Sequence, residues 1–289
     1  MINKEFKKDI LVRYGYILSK RYTEKQKLRA SLALEKDLRS ISSNVKVDIF
    51  NNKDKKNRNL YVGSIKNAKI ILATYYDTPS SFMGSYYPLD KKLQSRNSII
   101  FIFLSSLIAI SIAILYTIFF AVDVLKGKNI FSLPALMIMI SYFLFFILFN
   151  RIVRGTASRK TKIRNSSSLI YILNLIAEGK FNKTISFAFL DSGCTNNAGL
   201  ERLSELNSDA NIIYLDSIGA DYDLFSFEYK HNKELFKKAY LPKNVTLKVA
   251  TEYENGKYKV SRKKLNANNM KVENFEKLYQ ELSEEVKNV

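Results

Sequence analysis

Ile70-Ile71-Leu72-Ala73-Thr74-Tyr75-Tyr76-Asp77-Thr78 is a nearly continuous apolar run that ends in a polar turn. Within it, Lys69–Thr74 predicts a strand that lies at the centre of a sheet. Two more strands are predicted before it, at Val45–Phe50 and Leu60–Ile65, with a polar, lysine-rich turn at Asn51–Asn59 between them. We therefore expect a β-sheet to form the core of the domain.

The rest of the chain alternates between helix and strand patterns. Apolar positions at helical spacing predict two helices within Lys4–Ser40. Farther along, the predicted order is helix Ser167–Ala177, strand Thr184–Leu190, helix Leu200–Leu206 and strand Asn211–Leu215. This alternation predicts an α/β fold with a mostly parallel or mixed sheet and helices on both faces. For the tail we expect a helix at Leu235–Tyr240, strands at Val245–Thr251 and Lys257–Arg262, and an amphipathic helix at Val272–Val286.

Two uncharged segments interrupt this α/β pattern. No charged residue occurs in residues 97–122 or 129–150. Each segment has about 20 residues or more, which as a helix crosses a hydrocarbon layer of about 30 Å. We therefore predict a two-helix transmembrane hairpin with spans at about 97–122 and 130–150. The predicted organisation is N-terminal helices and the first part of the α/β domain at 1–96, the hairpin at 97–150, and the remainder of the α/β domain at 151–289.

Basic residues are concentrated on the outer flanks of the hairpin. The connection between the spans, Asp123–Lys128, carries two lysines and one aspartate. By the positive-inside rule, the basic flanks stay in the cytoplasm and the connection faces out. We therefore expect a multi-pass cell-membrane protein whose α/β domain and both termini are cytoplasmic. The flanking basic residues are Lys91, Lys92 and Arg96 before the first span and Arg151, Arg154, Arg159, Lys160, Lys162 and Arg164 after the second.

The 289-residue chain is strongly basic, with a formal net charge of +19. Such a chain is attracted to polyanions, and next to membrane spans the anionic cytoplasmic leaflet is the expected partner. Nucleic acid is not expected, because the basic residues are scattered among acidic ones and no recognition motif accompanies them. A solvated basic surface without a polyanionic partner is the alternative interpretation. Cys194 is the only cysteine, so no internal disulfide can form.

Four patches of the sequence carry a family resemblance. They are Ile70–Thr78, similar to a strand that ends in His-x-Asp; Arg164–Ser168, similar to Asp-Asn-Ala-Ser-Gly at the start of a helix; Ile185–Gly193, similar to a strand that ends in Asp-x-Glu-Glu; and Asn211–Gly219, similar to a strand that ends in Leu-Asp-x-x-Gly. In this order they resemble the di-zinc aminopeptidase family of zinc exopeptidases, which includes bacterial aminopeptidases, glutaminyl cyclases and the transferrin-receptor ectodomain. The likeness covers roughly residues 40–289 without the hairpin.

The resemblance implies a cleft that has lost most of its zinc ligands. The first zinc-binding His of the family corresponds to Tyr75, while the Asp that orients this His is kept as Asp77. The metal-bridging Asp corresponds to Arg164. The ligand Asp of the fourth patch is kept as Asp216, and the last ligand, a His, falls near Asn266. A degenerate member of the family is therefore implied.

The third patch implies the loss of the catalytic base as well. Its Asp-x-Glu-Glu motif begins at Asp191, but the general-base Glu and the adjacent ligand Glu correspond to Gly193 and Cys194. The chain has a single histidine, His231, and so cannot supply two histidine ligands. We therefore expect no catalytic residue, no metal ion and no other cofactor. We further hypothesise that Arg164 occupies the place of the cations and pairs with Asp216 or Asp77, since guanidinium suits such a bidentate role.

Other chemistry has less support. Asp77, Asp191 and Asp216 all follow predicted strands, where open α/β sheets place ligand sites. They could hold one metal ion in an unorthodox hydrolase, or they could cap the helices that follow. A Cys194–His231 nucleophile pair is disfavoured, because nothing in the sequence brings the two residues together. No Gly-Lys-Ser/Thr phosphate loop and no Gly-x-Ser-x-Gly motif is present.

The favoured interpretation is a membrane-anchored, catalytically inactive zinc-peptidase-like protein. It would act as a binding or assembly subunit of a membrane complex, for example in peptide processing or export. Its expected partners are the lipid bilayer and a protein of that complex, with a peptide as a further candidate and no nucleic acid. The alternatives are an active membrane-bound metallohydrolase with a non-standard metal site, and a transporter accessory or immunity protein whose function resides in the spans.

Overall fold

A computed structural model describes residues 4–52, 55–127, 131–158, 161–181 and 184–287. The chain divides into two compact units. The first contains the residues up to Pro79, Gly84–Ser95 and the residues from Ala157 onward; the second contains Ser80–Met83 and Arg96–Thr156. The first unit holds a β-sheet and the candidate site, and the second holds the apolar hairpin.

A seven-stranded mixed sheet forms the centre of the first unit. The strands are β1 (Val45–Asn52), β2 (Lys55–Val62), β3 (Ile70–Tyr75), β4 (Ile185–Leu190), β5 (Asn211–Asp216), β6 (Leu224–Glu228) and β7 (Val245–Ala250), and a separate ribbon pairs β8 (Glu252–Glu254) with β9 (Lys257–Lys259). The order in the sheet is β1-β2-β4-β3-β5-β7-β6. Neighbours among β4, β3, β5 and β7 are parallel, and the other pairs are antiparallel. The predicted α/β class with a mixed sheet is confirmed.

Helices surround the strands in the chain order. They are α1 (Lys4–Val12), α2 (Glu24–Ile41), α3 (Lys91–Tyr116), α4 (Val122–Leu125), α5 (Leu133–Val153), α6 (Ser167–Ala177), α7 (Ala198–Leu206), α8 (Lys233–Ala239), α9 (Arg262–Leu265) and α10 (Val272–Lys287). Short π-helical segments continue α1 at Arg13–Ile17, join α3 to α4 at Thr117–Ala121 and precede α6 at Lys162–Ser166.

The second helix shows how the sequence sets a boundary and a buried face. Thr23 and Gln26 form a capping box, so α2 begins at Glu24 with its first N–H groups satisfied. Its buried apolar side chains, Ala30, Leu34 and Leu38, follow one another at a spacing of one helical turn. Leu28 and Leu32 lie on another face of the helix and are about half exposed. The helix therefore keeps an apolar strip that the first unit does not cover.

The predicted turn at Asn51–Asn59 is wrong. β1 extends to Asn52 and β2 begins at Lys55, so most of this polar stretch is strand, and residues 53 and 54 lie outside the described residues. The polar side chains are tolerated in the strand because they are bonded internally: the Asn59 amide nitrogen donates to the Tyr61 hydroxyl and to the Gly199 carbonyl, each at 2.9 Å. A polar composition that satisfies its own hydrogen bonds does not exclude a buried strand.

Other boundaries also differ from the predictions. β6 and β8 were not predicted. The predicted strand Lys257–Arg262 ends at Lys259 instead, because Ser261 caps a new short helix by accepting from the Lys264 N–H. The predicted strands at Lys69–Thr74 and Asn211–Leu215 are confirmed to within one residue at each end.

The second unit is built on two apolar helical segments. Lys91–Leu125 and Leu133–Val153 are each long and apolar enough to cross a membrane. The segments meet through polar side chains: the hydroxyl oxygens of Thr117 and Tyr142 are 2.5 Å apart, and Ser141 donates to Tyr116 at 2.9 Å. Hydrogen bonds of this kind hold helices together in an apolar surrounding, where the hydrophobic effect does not. Lys128, Arg159 and Lys160, on which the predicted orientation also depends, lie outside the described residues.

Candidate functional site

Three aspartates meet at one edge of the sheet. Asp77 follows β3, Asp191 follows β4 and Asp216 ends β5, and all three side chains are buried. Because these strands are adjacent and parallel, their carboxyl ends reach the same edge, where open α/β sheets bind ligands. Ser192 and Ser217, directly after two of the aspartates, adopt left-handed backbone with φ of 61° and 53°. Such strain in residues other than glycine is concentrated at functional sites.

Asp77 organises the loop that follows β4. Its two carboxylate oxygens accept hydrogen bonds from the backbone N–H groups of Gly193, at 2.8 Å, and Cys194, at 3.0 Å. Burial, followed by the nearby charge of Asp191, raises the pKa of Asp77 to about 6, although the Cys194 N–H opposes this shift. Asn165 adds a third link, because its amide nitrogen donates to the Asp77 carbonyl at 2.8 Å. The carboxylate thus holds together the two loops that the resemblance assigns to zinc ligands.

Asp216 is surrounded by hydroxyl groups. Tyr75 donates to one carboxylate oxygen at 2.8 Å, Ser217 donates to the same oxygen at 2.7 Å, and Tyr86 donates to the other. The Arg164 guanidinium lies over the Tyr86 ring, 3.7 Å from its centroid, and is buried. Arg164 therefore reaches the neighbourhood of Asp216 through a stacked tyrosine. The hypothesis of a bidentate pair between Arg164 and Asp216 or Asp77 stays a prediction.

Asp191 is neutralised by a lysine of α2. The Lys27 ammonium lies 3.0 Å from one carboxylate oxygen of Asp191, and both side chains are buried. Burial alone would lower the pKa of Lys27, but the contact with Asp191 outweighs it and raises the pKa. Asp191 also accepts the Ser192 N–H at 2.7 Å. Asp191 therefore links the sheet to α2 through its ion pair with Lys27.

Two other buried cations of the site are not apparent from the motifs. Lys91 is buried and donates to the Gly193 carbonyl, and burial lowers its pKa. Arg21 is fully buried and donates to the Tyr76 carbonyl and to the Ser166 hydroxyl. Lys91 and Arg164, which the sequence also places in the basic flanks of the hairpin, are buried inside the first unit, and the predicted orientation stays a prediction. No local pattern in the sequence signals these contacts, which join residues far apart in the chain.

Position 193, which the resemblance assigns to the general base, is packed closely against Tyr75. A Cβ atom added to Gly193 would lie 2.2 Å from the Tyr75 Cβ, 2.3 Å from its Cγ and 2.8 Å from the Tyr214 hydroxyl. No real Cβ atom tolerates such distances, so a side chain at position 193 cannot coexist with Tyr75 in this position. The residues at positions 75 and 193 are thus sterically coupled.

The residues present do not fit a zinc ion. A catalytic zinc site needs three protein ligands of the His, Asp, Glu or Cys type and an open position. Among the described residues, no group of three or more such side chains is arranged to hold a metal ion. Asp77 is committed to backbone N–H groups, Asp191 to Lys27, and Asp216 to hydroxyl groups. The three aspartates share an edge of the sheet without forming a ligand set.

Of the remaining predicted positions, Cys194 lies at the site beside Asp77, whereas His231 and Asn266 make no described contact with the three aspartates. Cys194 is partly buried and accepts a hydrogen bond from the Asn165 amide at 3.2 Å; burial raises the pKa of its thiol to about 12, which disfavours a nucleophilic thiolate. His231 is exposed. Asn266 is half-buried at the C-terminal end of α9, and the described contacts of the three aspartates do not include it.

Comparison with known proteins places the fold. No family model matches the chain, and no curated protein matches it in sequence. A glutaminyl cyclase from Tannerella forsythia superposes with a TM-score of 0.50 at 10% identity over 95% of this chain and 94% of that one. A glutaminyl cyclase from Bacteroides thetaiotaomicron bound to N-acetylhistamine gives 0.50 at 10% identity over 94% and 91%. At this identity the likeness shows the fold alone, which is the α/β fold of these glutaminyl cyclases.

Proposed function

We propose that the chain is a membrane-anchored, catalytically inactive zinc-peptidase-like protein. It serves as a binding or assembly subunit of a membrane complex, for instance one that processes or exports a peptide. The zinc-exopeptidase-like fold supports the peptidase ancestry. The packed site supports the loss of catalysis, and the two apolar helices support the anchor.

The observation that carries the inactive assignment is the contact between Gly193 and Tyr75. A general base must stand within hydrogen-bond reach of a water or substrate proton, so it needs both a carboxylate and free space. Position 193 has neither, because Tyr75 fills the volume and donates its hydroxyl to Asp216. Restoring a glutamate at this position alone would collide with the ring. Both this packing and the missing ligands support the proposed loss of catalysis.

Metal analysis and peptide hydrolysis of the detergent-purified full chain test this proposal. We expect far less than one zinc or manganese ion per chain after incubation with the metal and removal of the excess, because no ligand set is assembled. We also expect no cleavage of a mixture of unblocked synthetic peptides followed by mass spectrometry. The matched control is Asp216→Ala: a stoichiometric metal ion that is lost in this variant would overturn the inactive assignment.

The apolar helices and their flanks support an anchor with its connection outside the cell. Lys92, Arg96 and Arg151 are exposed at the outer ends of the two helical segments, where the positive-inside rule keeps them on the cytoplasmic side. In this arrangement the first unit works in the cytoplasm at the membrane surface. A binding subunit held there meets its partners in two dimensions, which raises their effective concentration.

Single-cysteine labelling tests the orientation. Lys126→Cys, in the connection, is expected to react with a membrane-impermeant maleimide on intact cells, whereas Lys257→Cys, in the ribbon of β8 and β9, is expected to react only after permeabilisation. Both positions are exposed, and the raised thiol pKa keeps the native Cys194 slow to react. The unmodified chain is the control for background labelling. The reverse pattern, or labelling of both positions on intact cells, would contradict the proposed orientation.

A further inference from the structure

We infer that a groove beside the packed site binds an extended peptide segment that carries acidic and apolar side chains. This inference rests on the proposed function, since it gives the binding subunit a specific surface and a class of ligand. The groove lies between α2 and the β1–β2 hairpin, and we call it the α2–β2 groove. Lys25, Leu28, Ile49, Lys56 and Arg58 are among its lining residues.

The α2–β2 groove is a cavity with a fixed floor. Its volume is about 400 Å³, and Tyr76, Lys27 and Asp191 belong to its lining. The floor is rigid, because Lys27 and Asp191 form a buried ion pair and the Tyr76 hydroxyl donates to the Arg58 carbonyl at 2.9 Å. Asp191 places the groove at the same edge of the sheet as Asp77 and Asp216. A ligand here would lie next to the packed site without needing to enter it.

The upper part of the groove is apolar and open. Leu28 of α2 is 52% exposed and Ile49 of β1 is 51% exposed, and both line the cavity. Burying a large apolar side chain away from water is favourable. A leucine-sized side chain of a ligand that covers these two residues would bury apolar surface on both partners. This requirement selects a ligand with at least one apolar group.

The charge of the groove selects an anionic ligand. Lys25 and Lys56 line it, and neither has an acidic partner within 4 Å among the described residues. Arg58 pairs with Glu35 through one guanidinium nitrogen, but its buried Nε has no hydrogen-bond acceptor in the described part of the chain. Buried donors normally find an acceptor, so this nitrogen is suited to a ligand oxygen. The acidic lining residues Glu24 and Asp191 are already engaged by Lys27.

The open side of the outer strand β1 favours a peptide over a smaller anion as the ligand. β1 is an outer strand and pairs only with β2, so along its other side the backbone N–H and C=O groups of Val45–Asn52 have no strand partner in the described residues. An extended peptide adds to such an edge through main-chain hydrogen bonds, while neighbouring pockets receive its side chains. Ile49 belongs to this strand and to the groove at once. Backbone pairing and side-chain recognition can therefore act on one ligand.

Three fluorescein-labelled synthetic peptides of equal length, which alternate Glu with Leu, Lys with Leu, or Glu with Ser, test this inference. We expect the detergent-solubilised full chain to bind the Glu–Leu peptide about tenfold more tightly than either of the others, measured by fluorescence anisotropy. The combined substitution of Lys25→Glu and Lys56→Glu should weaken this binding about tenfold. The control variant, Lys66→Glu with Lys233→Glu, makes the same charge change at exposed sites elsewhere and should leave binding within about twofold.

The possible results separate this inference from the proposed function. Equal binding of all three peptides, no measurable binding, equal loss in the control variant, or displacement of the probe by a second copy of the chain would overturn the groove as a peptide site. Mass spectrometry of the recovered peptides gives the second readout. Bound and intact Glu–Leu peptide supports both proposals, whereas bound and cleaved peptide would overturn the inactive assignment and leave the groove in place.

Discussion

Gly193→Ala is expected to lower the free energy of unfolding of the first unit by about 3 kcal/mol, equivalent to a fall of roughly 6–12 °C in the melting temperature. The new methyl carbon would lie 2.2 Å from the Tyr75 Cβ and 2.3 Å from its Cγ, and this side chain is held by the hydrogen bond of its hydroxyl to Asp216. Relief therefore requires the loop after β4 to move, which also strains the bonds between Asp77 and that loop. Thermal unfolding in one detergent measures the effect.

Two companion variants identify the cause of this loss. Gly15→Ala is the matched control, because its new Cβ meets only the Leu11 Cδ1, at 3.8 Å, and the cost should stay below about 1 kcal/mol. Tyr75→Gly combined with Gly193→Ala should be less destabilising than the sum of the single changes by about 2 kcal/mol, because the first change removes both the Cβ and the Cγ that the new methyl group would meet. Additive effects, or a Gly193→Ala loss no larger than that of Gly15→Ala, would refute the steric coupling.

The coupling of positions 75 and 193 bears on the proposed loss of catalysis. A vacant zinc site would have kept space for a metal and a water, so that single substitutions could restore part of it. Here the ring at position 75 and the missing side chain at position 193 fit only each other. The positive charge near the carboxylates comes from buried side chains, among them Lys27, Lys91 and Arg164. These side chains supply positive charge at the place where the resemblance implies bound metal.

The sequence reveals the parts of the fold that depend on local pattern. The strands β3 and β5 are predictable because each contains a short apolar run, which a parallel strand covered on both faces needs. β6 escapes prediction because Leu224–Glu228 has only two buried residues in five and resembles a loop. The start of β2 escapes because Asn57 and Asn59 are polar and yet buried. Their burial depends on partners elsewhere in the chain, such as Gly199.

The candidate site, like the fold, can be predicted from the sequence only in part. The positions of Asp77 and Asp216 follow from strand ends, and the identities of the lost ligands follow from a resemblance spread over several patches. Lys91 could not be placed, because its contact with Gly193 spans 102 positions and its neighbourhood in the sequence resembles a membrane flank. Tyr86 and Arg21 could not be placed either, because their contacts at the site also join residues far apart in the chain. Long-range contacts that satisfy buried polar groups leave no periodic signal in the sequence.

Arg21→Met is expected to destabilise the first unit by about 4 kcal/mol, close to the loss expected for breaking a buried polar network. Arg21 has no exposed surface, and its guanidinium donates to the carbonyl oxygens of Tyr76, Tyr14 and Leu18 and to the Ser166 hydroxyl. Methionine fills part of the volume but donates to none of these acceptors. Three buried carbonyl groups then lose a partner, each at a cost of about 1–3 kcal/mol if no water replaces it.

Because of where Arg21 lies, the loss of stability in Arg21→Met is expected to be greatest around the site. Its guanidinium joins the segment after β3, which contains Asp77, to the residues that precede α6. Hydrogen exchange should therefore increase most at Thr78, whose N–H donates to the Arg21 carbonyl, and around Ser166. Arg39→Met removes an arginine whose side chain is 54% exposed and bound to Glu35, and should cost less than about 0.5 kcal/mol. If Arg21→Met unfolds no more easily than Arg39→Met, the buried arginine does not hold the two loops together.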